Sequence, residues 1–227
     1  MSRTHAELFA RYEPEKELYG PALGLRVHRA LSWLRRAEME ADAAGSPGEG
    51  DPDAQFIFLW IAFNAAYATD IAEDYFASEQ ETFRSFLEKL LTLDRDRRLP
   101  DLVWRQFTGP IRELLKNKYV FRDFWLSNKG TLAPDAWQPR FEAANRNARD
   151  ALAANDTLKL LGIVLSRIYT LRNQLVHGGS TWHSSVNREQ VRDCARFMAA
   201  LVPVIIEIMM DNPQTLWGDA VYPVVSD

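Results

Sequence analysis

Cysteine is almost absent from this chain. The single Cys194 excludes an intramolecular disulfide framework and any metal site built from clustered cysteines. Because Cys194 stands in a helical apolar pattern beside Ala195 and Met198, a buried thiol is favoured over a nucleophile. The chain also lacks a glycine-rich phosphate loop, a His-Glu-x-x-His sequence and a carboxylate cluster. We therefore expect no nucleotide cofactor and no metal site.

Long apolar runs are scarce as well. The longest, residues 56–68, is interrupted by Asn64 and is too short to span a bilayer. Charged residues interrupt every apolar run of the N-terminal sequence MSRTHAELFARYEPEKE, so it does not read as a signal peptide. These features predict a cytoplasmic protein with no membrane partner.

Strand patterns are missing, whereas apolar residues recur at helical spacing along the chain. The 227 residues, 47% hydrophobic and 26% charged, suit a single helical domain over 1–227 with an insertion, or two closely packed subdomains. We predict an all-α, antiparallel four-helix bundle with a helical insertion at about 78–154 and an irregular C-terminal tail at 211–227. The predicted core helices are 21–44, 54–76, 156–176 and 188–210.

Periodicity also predicts which side chains of the first two core helices face inward. In 21–44 we expect Leu23, Val27 and Met39 to face inward and Arg26 to face outward. In 54–76 we expect Asp53 to be the N-cap. One face of this helix carries Trp60, Asn64, Tyr67 and Ile71. A buried amide needs hydrogen-bond partners, so Asn64 reads more readily as a core residue than as a catalytic one.

The insertion begins with a predicted capping box at 78–81, which opens a helix to about 93. A further helical region follows Pro100, is interrupted at Gly109 and Pro110, and resumes over 111–126. A loop at 127–139 and a helix at 141–154 complete it. The resumed helix interleaves aromatic residues with basic ones: Tyr119, Phe121, Phe124 and Trp125 with Arg112, Lys116, Lys118 and Arg122. This pattern fits single-stranded RNA, although a buried aromatic face with a charged outer face is the simpler explanation.

Charge is distributed unevenly. Residues 1–83 contain 7 Lys and Arg against 15 Asp and Glu, residues 84–129 contain 11 against 6, and residues 140–196 contain 9 against 5. The overall net charge of −4 therefore permits a local basic surface, and the local field is what attracts a polyanion. For any single arginine, a solvated helix face remains the simpler interpretation.

The most informative stretch is 156–179, DTLKLLGIVLSRIYTLRNQLVHGG. Its apolar spacing predicts a helix with Asp156 as N-cap, and Gly178 and Gly179 supply the conformation that ends a helix. Arg172, Asn173 and His177 would lie at its end, although Arg172 and His177 are about 140° apart on an ideal helix. Bringing them together would need a loosened helix or partners from elsewhere.

These three side chains suit a site that holds a phosphodiester and moves a proton. Arginine presents a planar fork to phosphate oxygens, and histidine exchanges protons near neutral pH. Asn173 adds a neutral donor and acceptor. The alternative is purely structural, because the helix macrodipole alone favours cations near a helix C-terminus.

Residues 169–178, YTLRNQLVHG, resemble the Arg-x4–6-His motif of the HEPN superfamily. Residues 58–67, FLWIAFNAAY, look like a helix found in bacterial members of that superfamily. The resemblance implies a four-helix fold, a homodimer with facing motifs, and metal-independent RNA cleavage that leaves a 2′,3′-cyclic phosphate. His177 would be the general base or acid, Arg172 would stabilise the phosphorane, and Asn173 would orient one of them.

Further substrate contacts are expected from a wider set of residues: Asn64, Tyr67, Trp182, His183, Lys116, Lys118 and Arg122. Trp182 and His183 belong to a predicted polar loop at 180–186. The motif lacks the His-x-Tyr continuation of toxins that are controlled by tyrosine adenylylation, because Gly178 and Gly179 follow His177. A toxin or phage-defence ribonuclease under another control, with an antitoxin or defence partner protein, is still consistent with the sequence. The alternatives are a non-catalytic HEPN-type module that binds RNA, a nucleotide or a protein, and an unrelated helical adaptor.

Overall fold

The computed structural model describes residues 3–42, 50–68, 79–185 and 188–220. These ranges contain helices and no β-strand. The fold is therefore all-α, as predicted. The ten α-helices are α1 (His5–Glu15), α2 (Pro21–Asp42), α3 (Pro52–Tyr67), α4 (Glu79–Leu93), α5 (Arg98–Asp101), α6 (Thr108–Lys116), α7 (Arg122–Asn128), α8 (Trp137–Ala153), α9 (Thr157–Val176) and α10 (Arg188–Asp211). Within the described ranges, no helix has both the length and the apolar content needed to cross a membrane.

The chain divides into two compact units. The first comprises Met1–Arg98 with Val191–Asp227, and the second comprises Leu99–Gln190. Helices α2 and α3 and nearly all of α10 thus belong to the first unit, whereas α9 belongs to the second with α6, α7 and α8. The specific four-helix HEPN-like arrangement, with 78–154 as an insertion, stays a prediction.

In the first unit, α3 is buried on several sides, as its apolar sequence predicts. Phe56 and Phe63 are fully buried. The ring of Tyr67 packs 4.8 Å from that of Phe63 and 4.6 Å from that of Phe83, between ring centroids. This aromatic cluster anchors α4 to α3 through burial of large apolar surfaces.

The bounds of α3 differ from those predicted. Asp51, not Asp53, is its N-cap, because the Asp51 side chain accepts hydrogen bonds from the backbone N–H groups of Asp53 and Ala54. The helix ends at Tyr67 because the backbone turns to an extended conformation at Ala68. The remainder of the predicted helix, 69–76, and the capping residue Ser78 lie outside the described residues.

Arg26 is the largest departure from the predicted faces of α2. The prediction placed it in solvent, but its side chain is fully buried. It donates hydrogen bonds to the backbone carbonyl oxygens of Ala66 at 3.0 Å, Gly218 at 3.1 Å and Asp219 at 2.6 Å. Burial lowers the pKa of its guanidinium, and three acceptors compensate the lost hydration. Met39, predicted inward, is exposed.

The segment predicted as a continuous helix over 111–126 is broken. Helix α6 starts at Thr108, so Gly109 and Pro110 lie in its first turn, where the missing N–H of proline costs little. It ends before Asn117, and a 3-10 turn, Lys118–Val120, precedes α7. The predicted loop at 127–139 is correspondingly shorter, because α7 extends to Asn128 and α8 begins at Trp137.

Two features of the remaining helices bear on the predictions. Helix α1 was not predicted, although Thr4 and Glu7 form a capping box at its start. In α10, Cys194 is buried, as predicted, and burial raises the pKa of its thiol.

We predict that Arg26→Met lowers the free energy of unfolding by about 2 to 4 kcal/mol, because it leaves buried carbonyl groups without donors. Arg26→Lys should recover only part of this loss, since one ammonium group does not reproduce the planar guanidinium fork. Urea denaturation followed by circular dichroism measures both. Arg35→Met, on the exposed face of the same helix, is the matched control and should change stability by less than about 0.5 kcal/mol. Equal losses for Arg26→Met and Arg35→Met would contradict the anchoring role of Arg26.

Candidate functional site at the end of helix α9

Helix α9 begins and ends where the sequence predicts. The Asp156 side chain accepts a hydrogen bond from the backbone N–H of Lys159 at 2.9 Å, which fixes the N-terminus. Leu161, Leu165 and Ile168 are fully buried within the second unit. The helix extends to Val176, so the Arg172 to His177 segment occupies its last turn and its C-cap.

The C-terminus of α9 is a Schellman motif. Gly178 has a left-handed φ of +69°, which glycine adopts without steric cost. Its N–H donates to the Leu175 carbonyl at 3.3 Å, and the N–H of Gly179 donates to the Gln174 carbonyl at 2.7 Å. These two bonds are the defining pair of this motif. They fix the backbone of His177, whose side chain is exposed.

The Asn173 side chain is hydrogen-bonded to Arg172 at the end of α9. Arg172 Nη1 donates a hydrogen bond to Asn173 Oδ1 at 2.9 Å. Asn173 precedes His177 by four residues, so the two lie about 40° apart around the axis. The bond therefore draws the Arg172 guanidinium toward the side of α9 that carries His177.

The surroundings of Arg172 leave it available for an anion. Its guanidinium carbon lies 6.0 Å from the centroid of the Tyr169 ring. Within the described part of the chain, its Nε is buried without a hydrogen-bond partner, and no carboxylate forms a salt bridge with it. A half-buried guanidinium without a counter-ion has a positive charge to offer to a phosphate.

A neighbouring turn contacts the same end of α9. We call residues 117–121 the Tyr119 turn. The Tyr119 carbonyl oxygen accepts hydrogen bonds from Gln174 Nε2 at 2.5 Å and from Trp125 Nε1 at 2.7 Å. Gln174 lies between Asn173 and His177 in sequence, so the turn is attached directly to the candidate site.

The three basic residues predicted to bind substrate lie in this part of the second unit and are exposed. Lys116 Nζ forms a salt bridge with Glu113 Oε1 at 2.8 Å, so its charge is partly neutralised. Lys118 Nζ lies 5.2 Å from the centroid of the Tyr119 ring. Arg122 occupies the first turn of α7. Of the three, only Lys118 belongs to the Tyr119 turn, where it contacts the Tyr119 ring.

Trp182 and His183 lie in the loop that follows α9, as predicted. The Trp182 side chain is 74% exposed, and its ring centroid lies 5.3 Å from that of His183. Arg188 Nη2 contacts His183 Nδ1. The His183 backbone has a φ of +59°, an uncommon conformation for a residue other than glycine.

The other two predicted substrate contacts, Asn64 and Tyr67, belong to the first unit. Tyr67 is buried in the aromatic cluster of α3 and α4, so its ring has a core role there. Asn64 Oδ1 is buried and has no hydrogen-bond partner among the described residues. Both side chains belong to the first unit, whereas α9 belongs to the second.

Arg167 is a prominent residue of the second unit that the sequence reasoning missed. It is only 3% exposed, and its guanidinium carbon lies 4.5 Å from the Phe121 ring centroid and 5.2 Å from that of Phe141. Burial lowers its pKa to about 10. Its Nη1 and Nη2 have no hydrogen-bond partners within the described ranges. The two ring contacts and the charge of Asp123 offset part of the cost of burial.

A sequence signal for Arg167 was present. It falls in register with Leu160, Val164 and Leu171, which form a buried stripe at helical spacing on α9, and Gln174 continues the same stripe. An arginine within such a stripe indicates a buried cation. The stripe faces the segment that contains Phe121, which is why Arg167 and Gln174 both contact residues of the Tyr119 turn.

No metal site is added by the fold. In the ranges that the structure describes, no three His, Cys, Asp or Glu side chains are grouped so that they could hold a metal ion. The comparisons with known proteins found no matching family model, curated protein or solved structure. The resemblance to the HEPN superfamily therefore stays a prediction that rests on the two sequence motifs.

We predict that His177→Ala changes the free energy of unfolding by less than about 0.5 kcal/mol, because the side chain is exposed. Arg172→Ala should cost about 0.5 to 1.5 kcal/mol through the lost hydrogen bond to Asn173. Arg167→Ala should cost about 2 kcal/mol or more, since it removes a buried side chain and its ring contacts. Thermal and urea unfolding of the three variants test this order. A large loss for His177→Ala would instead assign that residue to helix capping.

Proposed function

We propose that this chain is a metal-independent endoribonuclease of HEPN type, acting as a toxin or phage-defence effector. The observation that supports the proposal most directly is the hydrogen bond from Arg172 to Asn173 beside the exposed side chain of His177. Arg172 would be the phosphate-binding fork and His177 the proton carrier, both at the end of α9. Both groups are chemically suited to phosphodiester cleavage.

In the proposed reaction, the ribose 2′-hydroxyl attacks the adjacent phosphorus. A base removes the 2′-hydroxyl proton as the O2′–P bond forms, and an acid donates a proton to the 5′-oxygen as the P–O5′ bond breaks. The products are a 2′,3′-cyclic phosphate and a 5′-hydroxyl end. His177 serves as base or acid, Arg172 stabilises the charge of the phosphorane, and Asn173 orients Arg172.

The charge of the second unit supports a polyanionic substrate. This unit contains 13 Lys and Arg against 8 Asp and Glu, whereas the first unit contains 14 against 23. The formal net charge is thus +5 for the unit that holds Arg172 and His177, and −9 for the other. A local positive field attracts RNA despite the negative charge of the whole chain.

A non-catalytic binding module is the second candidate function. His177 lies at the C-cap of α9, where the macrodipole favours a cation without any catalytic purpose. Under this alternative the second unit binds RNA, a nucleotide or a protein without cleaving it, and any antitoxin or defence partner binds to a scaffold.

We predict that the active species is a symmetric homodimer in which two α9 ends face each other. One motif supplies one histidine, whereas the reaction needs a base and an acid. Light scattering should give about twice the 26.0 kDa chain mass. Wild-type protein that has exchanged subunits with the His177→Ala variant should be less active than wild type diluted to the same concentration. The reason is that each mixed dimer lacks one proton carrier. A monomer at micromolar concentration, with RNA present, would remove the two-chain site.

We also predict that the purified protein cleaves single-stranded RNA in EDTA and does not cleave DNA, which lacks the attacking 2′-hydroxyl. His177→Ala should lower the rate by about 10² to 10⁴, the usual cost of losing a proton-transfer group. Arg172→Lys should also fail, because an ammonium group is not a bidentate fork. Gel analysis and mapping of the cyclic phosphate ends provide the measurement.

Arg146→Lys is a matched control for Arg172→Lys, because Arg146 is an exposed arginine of the same unit, and it should keep full activity. Equal RNA degradation by wild type and His177→Ala would identify a contaminating nuclease. If wild type binds varied RNAs but cleaves none, the binding module becomes the correct assignment.

A further inference from the structure

We infer that the Tyr119 turn is a binding site for an unpaired nucleobase beside the scissile phosphate, so that the enzyme selects unpaired RNA. This inference rests on the proposed function, and it names the substrate class and the residue that selects it. The occupant is a single nucleobase of RNA, held by stacking on the Tyr119 ring.

The position of the turn is the first argument. Gln174 Nε2 holds the Tyr119 carbonyl oxygen at 2.5 Å, and residues three apart on a helix are surface neighbours. Gln174 precedes His177 by three residues, so the backbone of Tyr119 lies within about one helical turn of His177. A nucleotide whose phosphate is bound at the α9 end therefore has its base near the Tyr119 turn.

The rigidity of the turn is the second argument. Asn117 Oδ1 accepts the Tyr119 N–H at 2.8 Å, and Trp125 Nε1 donates to the Tyr119 carbonyl at 2.7 Å. The Phe124 ring packs edge-on against the Tyr119 ring, 5.4 Å between centroids. The ring is thus ordered before any ligand binds, which reduces the entropic cost of stacking.

The chemistry of the turn is the third argument. The Tyr119 residue is 40% exposed, whereas large aromatic rings are usually buried in a core. Lys118 Nζ lies 5.2 Å from its centroid. An aromatic ring paired with a cation is the combination that binds single-stranded nucleic acid, since bases stack on the ring and phosphates meet the cation. Paired bases are already stacked in a duplex, so the site selects unpaired nucleotides.

The test uses a fluorescein-labelled oligoribonucleotide and variants of it with one abasic ribose near the cleavage position. Tyr119→Ala should raise KM roughly 5- to 150-fold, the range that base–aromatic stacking supplies, with kcat little changed. Tyr119→Phe and Tyr119→Trp should restore KM, because they keep a ring. At one position, the abasic substitution should raise KM for wild type but leave KM of Tyr119→Ala unchanged. The reason is that the missing base and the missing ring remove the same stacking contact.

Phe9→Ala is the matched control, because Phe9 is an aromatic residue of similar exposure that lies in the first unit, outside the proposed site. If Phe9→Ala raises KM and Tyr119→Ala does not, or if wild type and Tyr119→Ala respond equally to every abasic substitution, the inference is overturned. Melting temperatures of Tyr119→Ala and Tyr119→Phe separate loss of the ring from loss of the fold.

A binding measurement keeps this inference separate from the proposed cleavage. Fluorescence anisotropy with a 2′-O-methyl oligonucleotide, which lacks the attacking hydroxyl, gives Kd without turnover. If wild type cleaves no RNA but Tyr119→Ala still weakens binding to the base-bearing oligonucleotide, cleavage fails and the base site stands. If Tyr119→Ala and wild type bind it equally, the base site fails whatever the activity.

Discussion

The architecture of the candidate site depends on a buried cation. Arg167 packs against the rings of Phe121 and Phe141, which also contact each other. These contacts attach α9 to the segment before α7 and to α8. Removing a guanidinium from water is costly, and cation–π contacts return about 2 kcal/mol or more when they are desolvated. Seven residues further along the same stripe, Gln174 binds the Tyr119 carbonyl. The stacking of Arg167 and the hydrogen bond of Gln174 together hold the Tyr119 turn beside the end of α9.

The first unit solves the same physical problem differently. Arg26 is also fully buried, but three backbone carbonyl groups surround its guanidinium. Two of these belong to residues 192 and 193 positions away, at Gly218 and Asp219. Each of the three guanidinium nitrogens of Arg26 donates to a backbone carbonyl, whereas the Nη atoms of Arg167 have no hydrogen-bond partners among the described residues. Arg26 therefore fastens the C-terminal segment onto α2, and Arg167 organises a surface that carries candidate function.

Local signals explain what the sequence could predict. The cap at Asp156, the glycine pair after His177 and the apolar spacing between them define α9 almost to the residue, because each acts within a few positions. The buried Arg26, the early end of α3 and the break at Asn117 depend on distant partners or on backbone turns that helical spacing does not encode. Residue type identifies Arg172, Asn173 and His177 as candidates. The hydrogen bond from Arg172 to Asn173 depends on side-chain conformations that the sequence does not specify.

The identity of residue 173 follows from the charge that the proposed reaction requires. An aspartate there would form an ion pair with Arg172 and cancel much of the positive charge that a phosphorane needs. Alanine would leave the guanidinium on its own side of α9, about 140° from His177 on an ideal helix. Asparagine orients the fork through a neutral oxygen at 2.9 Å and leaves the charge intact. Under the proposed function, the amide would orient Arg172 toward the phosphate that His177 also contacts, without removing its charge.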